Sequence, residues 1–178
     1  MEKKSLAVSK AYQLLEPGPV VMVTTAHGDK MNVMTMTWQT MIDFVPPLFA
    51  CVIDANNYSF GLLKKSKECV INIPSVDLIK QVVGVGNTTG AKVNKFKKFN
   101  LTPVAASLVK APMVDECYAN LECKVIDMHL VAKYNIFILE IVKAWVTTSK
   151  KRQLMFHHQG NGVFVVDGKL MKISSKKK

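Results

Sequence analysis

The sequence predicts a mainly β fold, a β-barrel with peripheral helices, and three observations carry that expectation. Short β-branched and apolar runs recur along the chain, each bounded by Gly, Pro, Asn or Asp. Helical patterns are few and do not alternate regularly with the strands, as a doubly wound sheet would require. From Ala119, the residues Ala119, Leu121, Cys123 and Val125 alternate with Asn120, Glu122 and Lys124, the period-two mark of a half-buried strand.

Taken in order, Leu6, Val8, Ala11, Leu14 and Leu15 recur at helical spacing until Pro17-Gly18-Pro19 ends the pattern, which predicts a short amphipathic N-terminal helix. Residues 20–25 read as a strand, Ala26-His27-Gly28-Asp29-Lys30 as a turn, and residues 31–38 as a second extended run, together a hairpin. After Pro46-Pro47, which cannot sit in a central ladder, residues 48–53 form a third strand. Asn56 or Asn57 caps a helix whose apolar positions Phe60, Leu62 and Leu63 precede a basic last turn, where positive charge suits the helix dipole. A fourth strand, residues 69–73, ends at Pro74. Ser75 then caps a second helix through Val83, with residues 84–90 as a flexible loop. Residues 136–146 form a longer strand, and residues 163–166 and 170–173 a last hairpin about Asp167-Gly168. Without an internal repeat or a linker, the chain reads as one domain over residues 1–178, with residues 170–178 a partly disordered basic tail.

Composition narrows the function classes. At 178 residues and 49% hydrophobic content, the chain is long enough to bury most of its apolar surface. Lys or Glu breaks every apolar stretch before the roughly 20 residues that span a bilayer, and the charged start lacks a signal-peptide pattern, so a soluble, cytoplasmic protein is expected. Cys51, Cys69, Cys117 and Cys123 lie in or beside apolar runs without C-x-x-C spacing and read as core residues. The net charge of +11 raises the prospect of nucleic acid, yet Arg152 is the one arginine in the sequence, so the planar fork that reads guanine or clamps phosphate is almost absent. No H-E-x-x-H, G-x-S-x-G, G-x-x-x-x-G-K-[ST] or G-x-G-x-x-G occurs. His157 and His158 point to opposite faces if extended and His27 and His129 are scattered, so no metal site is predicted; with no motif and no obvious pair among the thirteen acids, no catalytic residue is predicted either.

The unusual segment is Asn32-Val33-Met34-Thr35-Met36-Thr37-Trp38, where an amide, two hydroxyls and an indole stand among methionines. Composition alone favours a half-exposed strand whose Thr residues reflect β propensity and whose Trp is core. The order of motifs adds to it: Pro19-Val20-Val21-Met22-Val23-Thr24-Thr25, Gly28, residues 32–38, Pro46-Pro47, Asn72-Ile73-Pro74 and Asn94-Lys95-Phe96. In that order and spacing the chain resembles the flavin reductase-like family, the FMN-binding split barrels that include the flavoredoxins. It departs where family members often carry Ser in place of Thr37 and Asp in place of Asn94.

The resemblance implies a flavin mononucleotide (FMN) whose ring lies against Asn32, Val33, Met34, Thr35, Met36, Thr37 and Trp38. It implies a phosphate near Asn56, Ser59, Lys92 and Lys95, with Asn72 and Phe96 completing the cofactor-binding set. A helix N-terminus offers free N–H groups to an anion and Lys adds a point charge. A chain without a catalytic residue of its own can still be redox-active, because flavin carries the electron chemistry. The implied protein is a homodimeric oxidoreductase or electron carrier, reduced by NAD(P)H or a redox protein. Two other readings stay open at this point: a non-redox basic module for nucleic acid or an acidic protein, motivated by +11, and a barrel for another planar ligand such as haem, with His27 or His129 as axial ligand.

Overall fold

The computed structural model describes residues 18–147 and 152–174. The predicted N-terminal helix, residues 6–15, lies outside them, as does the tail from residue 175. Strands β1 (Val21–His27) and β2 (Lys30–Met36) form the expected hairpin, with Gly28 at φ 61° supplying the left-handed turn. Strand β3 (Gln39–Phe44) pairs with β4 (Pro47–Val52) across Pro46. Helix α1 (Tyr58–Ser66) leads into β5 (Glu68–Ile73), and a 3₁₀ turn (Val76–Leu78) into α2 (Ile79–Gly86). A short α3 (Lys95–Lys98), the two-residue strands β6 (Pro103–Val104) and β7 (Met113–Val114), β8 (Ala119–Asp127), α4 (Val131–Tyr134) and β9 (Ile136–Val146) follow. Strands β10 (Phe156–His158) and β11 (Phe164–Val166) complete the set.

Seven strands make one antiparallel sheet in the order β2-β1-β5-β8-β9-β4-β3. Its two edges, β2 and β3, are consecutive in sequence and joined only by Thr37 and Trp38. A sheet whose opposite edges are tied by so short a link must curl on itself, so the molecule is a barrel with a seam at residues 37–38. Trp38 O accepts from Val52 N at 3.0 Å and Gln39 Nε2 donates to Pro19 O at 2.9 Å, holding that link between the two ends of the barrel wall.

Alternation along β2 decides which side chains face in. Met34 and Met36, opposite Val23 and Val21, join Phe49, Leu63, Phe137 and Leu139 in the inner core. Val33 and Met22 face out and are covered by Val82 and Val85 of α2, Phe96 of α3 and Phe156 of β10. Cys51, Cys69 and Cys123 belong to the inner cluster and Cys117 to the outer one, all free thiols. Burial pushes the Cys51 thiol up to about 12, so these residues act as packing groups.

Glu122 of β8 is a buried charge in the sheet. It is fully enclosed and accepts from Trp145 Nε1 at 2.8 Å, Ser107 N at 3.1 Å and Ser107 Oγ at 3.0 Å, and from Leu108 N. Burial alone would raise its pKa, but these donors together outweigh it and hold the carboxyl at about 2. The loop carrying Val109 and Ala111 is thereby fastened over Val70 of β5.

The structure departs from the sequence expectation at identifiable places. β3 was not expected, because its burial pattern is almost wholly exposed and shows no alternation. The last hairpin pairs Phe164–Val166 with Phe156–His158, and residues 170–173 form no strand. Gly160, Asn161 and Gly162 all take positive φ and make the turn, while Asp167 accepts from Met155 N at 3.2 Å and faces His157 Nε2 at 3.3 Å. Ser75 makes no side-chain capping bond. The turn that follows it is 3₁₀, and the α-helix proper runs three residues past Val83 to Gly86.

Candidate functional site

Two adjoining clefts open beside β2. The first, about 280 Å³, lies between β2, the start of α1 and the loop after α2, and is lined by Asn32, Met34, Thr35, Asn56, Asn57, Tyr58, residues 85–90 and Lys95. The second, about 460 Å³, is walled by Val20, Thr35, Met36, Thr37, α2 and the β10–β11 hairpin with His158, Gly162 and Phe164. Thr35, Gly86 and Asn87 belong to both, so the clefts are continuous along one side of the seam. Among the described residues, no Asp or Glu lines either one.

The first cleft is assembled by a chain of polar contacts. Asn57 caps α1, its side chain accepting from Ser59 N at 3.0 Å, which orients the helix start toward the cleft. Ser59 is itself fully buried, and its Oγ accepts from Asn32 Nδ2 at 2.9 Å and from Thr25 Oγ1 at 3.3 Å. Thr25 and Asn32 are register partners in the β1–β2 hairpin, so one hydroxyl ties the helix to both strands. On the opposite wall, the Cα of Gly90 lies so close to the Asn32 amide that a Cβ there would overlap it. Only glycine allows that approach.

Lys95 forms the floor. It is 5% exposed, and its Nζ donates to Val33 O and Val85 O, each at 2.9 Å. Both partners are neutral main-chain carbonyls, and burial lowers the ammonium to about 8. An ammonium carries three donors and no acceptor, so one N–H remains for a ligand in the cleft that Lys95 lines. Thr35 differs in kind. Its Oγ1 donates to Val82 O at 2.6 Å, which commits the proton and leaves the oxygen to accept from a ligand. The second cleft has the more apolar wall, with Val82, Val83, Met36 and Phe164 beside His158, whose ring centre is 5.1 Å from that of Phe164.

The predicted residues are thereby sorted. Asn32, Met34, Thr35, Asn56 and Lys95 meet in the first cleft, and Thr35, Met36 and Thr37 in the second. Ser59, Val33 and Phe96 lie behind the walls: Ser59 holds Asn32, Val33 lends its carbonyl to Lys95, and Phe96 packs in the outer core. Asn72 faces another way. Its Nδ2 donates to Met22 O, Thr24 Oγ1 and Val70 O, and its Oδ1 accepts from Val114 N and Asn120 Nδ2, both at 2.8 Å, so its hydrogen-bonding capacity is spent in the sheet. Lys92 is exposed and lines neither cleft, and Trp38, 58% exposed, stands at the seam outside both. Beyond the predicted set, the walls include Asn87, Thr88 and Thr89, loop residues by composition, and His158 and Phe164, which only tertiary folding brings to β2.

The site is thus a seamed antiparallel barrel's cleft without a carboxylate among the described residues, floored by a buried ammonium and running into a more apolar slot. The chain matches the flavin reductase like domain over residues 14–163 and belongs to that family. An uncharacterised protein of Archaeoglobus fulgidus is 38% identical over 114 residues, and that stretch spans 64% of each chain, just under two thirds of the relative's length. An FMN-binding domain of a flavin reductases-like enzyme from Shewanella baltica is 26% identical and covers 96% of this chain and 97% of its own, with a TM-score of 0.82. The flavoredoxin of Desulfovibrio vulgaris, 24% identical, has the same fold over 99% of both chains with a TM-score of 0.84.

Proposed function

We propose that this chain is an FMN-dependent oxidoreductase or electron carrier of one domain, its cofactor phosphate in the first cleft and its flavin ring in the second. The observation that carries the reading is Lys95, a buried ammonium without a carboxylate among the described lining residues, in a cleft continuous with an apolar slot. Such a charge is costly unless an anion meets it. Asn56, Asn57 and the 87–90 loop would surround the phosphate with neutral donors, and Thr35 and Thr37 would meet polar atoms of the flavin. Bound FMN supplies hydride and electron chemistry. The protein's part is to hold it, exclude water from one side and leave an approach for the donor.

The donor in this reading is NAD(P)H or a redox protein. Lys95 lines the first cleft, and the exposed Lys80, Lys92, Lys97 and Lys98 belong to the same stretch of chain, so in this reading their positive charge helps to steer an anionic partner. The second copy of a homodimer would cover β3, where Met41, Ile42, Phe44 and Val45 are exposed, Phe44 by 83% and Val45 by 87%. Four free, buried thiols fit a reducing compartment such as the cytoplasm. Steady-state oxidation of NADH and of NADPH, with and without added free FMN, separates the forms of the proposal. Turnover that rises with free FMN identifies a flavin reductase, and reduction of bound FMN without such turnover identifies a carrier. No reduction by either nucleotide or by a low-potential redox protein would refute a redox role.

A further inference from the structure

We infer that the chain carries a second binding site, distinct from the clefts beside β2, for a small organic ammonium: a primary amine on a short apolar body. A hollow of about 410 Å³ opens where the turn after β7 meets the start of β8 and the end of β9, lined among others by Asp115, Glu116, Tyr118, Asn120 and Trp145. Among the described residues, none lines both this hollow and either cleft. In the sheet, β1 and β5 stand between β2 and β8, which sets those two strands three spacings, about 14 Å, apart.

The charge of this hollow is opposite to that of the chain. The net charge is +11, yet Asp115 and Glu116 supply two carboxylates here, and among the described residues neither Lys nor Arg lines the space. Both Glu116 oxygens accept from Thr102 N, at 3.0 and 3.1 Å, which holds that side chain against the loop before β6. Asp115 is exposed, and among the described residues nothing hydrogen-bonds to its carboxylate. The nearby cations are committed elsewhere. Lys143 Nζ stands 4.4 Å from the centre of the Trp145 ring, and Arg152 donates to Gly168 O beside Asp167. Repulsion from more distant lysines is screened over about 8 Å at physiological salt, whereas a carboxylate in contact acts well inside that distance.

Hydrogen bonding selects the ligand further. Asn120 is 9% exposed, and its Nδ2 donates to Asn72 Oδ1 at 2.8 Å and to Val114 O at 3.1 Å. Both donors are thereby spent and the amide is fixed, because turning it over would forfeit both bonds. Among the described residues nothing donates to Asn120 Oδ1, a nearly enclosed acceptor in the hollow that Asn120 lines. Tyr118 Oη donates to Met155 Sδ at 3.2 Å, so its oxygen is left to accept. Asn120 Oδ1, Tyr118 Oη and the Asp115 carboxylate make three acceptors, the number that one ammonium, with three donors and no acceptor, satisfies. A divalent metal asks for more anionic ligands, and among the described residues no group of three His, Cys, Asp or Glu could hold one. Trp145 supplies an apolar wall, its ring held by the 2.8 Å bond from Nε1 to Glu122. The volume suits a small molecule.

The experiment titrates the purified chain with butylammonium, and with butanol and butyrate as neutral and anionic probes of equal length. Calorimetry should show saturable binding of butylammonium. In the heteronuclear NMR spectrum the Trp145 indole N–H signal, told from that of Trp38 by a Trp38→Phe variant, should move along the same binding curve. Butanol and butyrate should bind at least about tenfold more weakly. Asp115→Asn should weaken butylammonium by about five- to tenfold and Tyr118→Phe by about threefold, with FMN affinity equal to wild type in both. Butanol binding as well as butylammonium, or affinity for butylammonium unchanged by Asp115→Asn, would overturn the site. So would magnesium displacing butylammonium at matching concentration, or no binding at tens of millimolar. A parallel loss of FMN affinity in Asp115→Asn would overturn its independence from the clefts beside β2.

Discussion

Replacing Gly90 by alanine isolates the close approach that shapes the first cleft. The new methyl would coincide with the Asn32 amide, so either the 87–90 loop withdraws or Asn32 turns away. Turning Asn32 breaks its 2.9 Å bond to Ser59 Oγ, a net loss of about 1 kcal/mol, in a site where Ser59 is fully buried. Overpacking of this kind adds about 1–3 kcal/mol. Together these come to roughly 2–4 kcal/mol, shared between fold stability and the geometry of the cleft. Gly61 provides the matched control, because a methyl there meets nothing within 4 Å and it lies inside helix α1. Gly61→Ala should raise stability by about 0.5–1 kcal/mol through helix propensity alone. The assay pairs thermal unfolding with FMN titration for both variants. Gly90→Ala should melt earlier and bind FMN at least about tenfold more weakly, while Gly61→Ala binds normally. If Gly90→Ala matched wild type in both measurements, the close approach of Gly90 to Asn32 would not shape the cleft.

Two further perturbations test the frame around the site. Glu122 holds its charge down to about 2 in the fold against an ordinary value of 4.5, so its stabilisation is complete above about pH 4.5 and is lost as pH falls toward 2. Glu122→Gln should lower the melting temperature at neutral pH and flatten that acid limb, as followed by thermal melts across the range; an unchanged limb would exclude Glu122 as its source. Phe44→Asp places a charge in the exposed apolar strip of β3 and should convert a dimer to a monomer in sedimentation while circular dichroism stays the same. A monomeric wild type, or a variant that still dimerises, would remove β3 from the interface.

The parts of this fold legible in sequence are those with a local signal. The β1–β2 hairpin shows itself in β-branched runs about Gly28, helix α1 in the Asn57 cap and basic last turn, and β8 in its strict alternation. β3 has no such signal because its side chains are mostly in solvent, and the β10–β11 pairing depends on a turn whose left-handed residues include Asn161 as well as glycines. The candidate site divides in the same way. The motif at residues 32–38 marks the right segment, but pleating sends Val33 outward to the second core, where Phe96 packs, and only the three-dimensional register tells these from Met34. The spacing of Asn72-Ile73-Pro74 belongs to the family pattern, yet the Asn72 side chain serves the sheet. A cluster such as Gly86-Asn87-Thr88-Thr89-Gly90 reads as loop composition, and its place as a cleft wall depends on the helix before it and on Gly90 meeting Asn32.

The claim that this cleft takes FMN is tested most directly by the visible absorbance of the purified protein after incubation with FMN and removal of free flavin. Retained flavin bands at a stoichiometry of one FMN per chain are expected, with quenched fluorescence and release on denaturation. Protein that returns colourless, with FMN fluorescence unchanged by its addition, would contradict it.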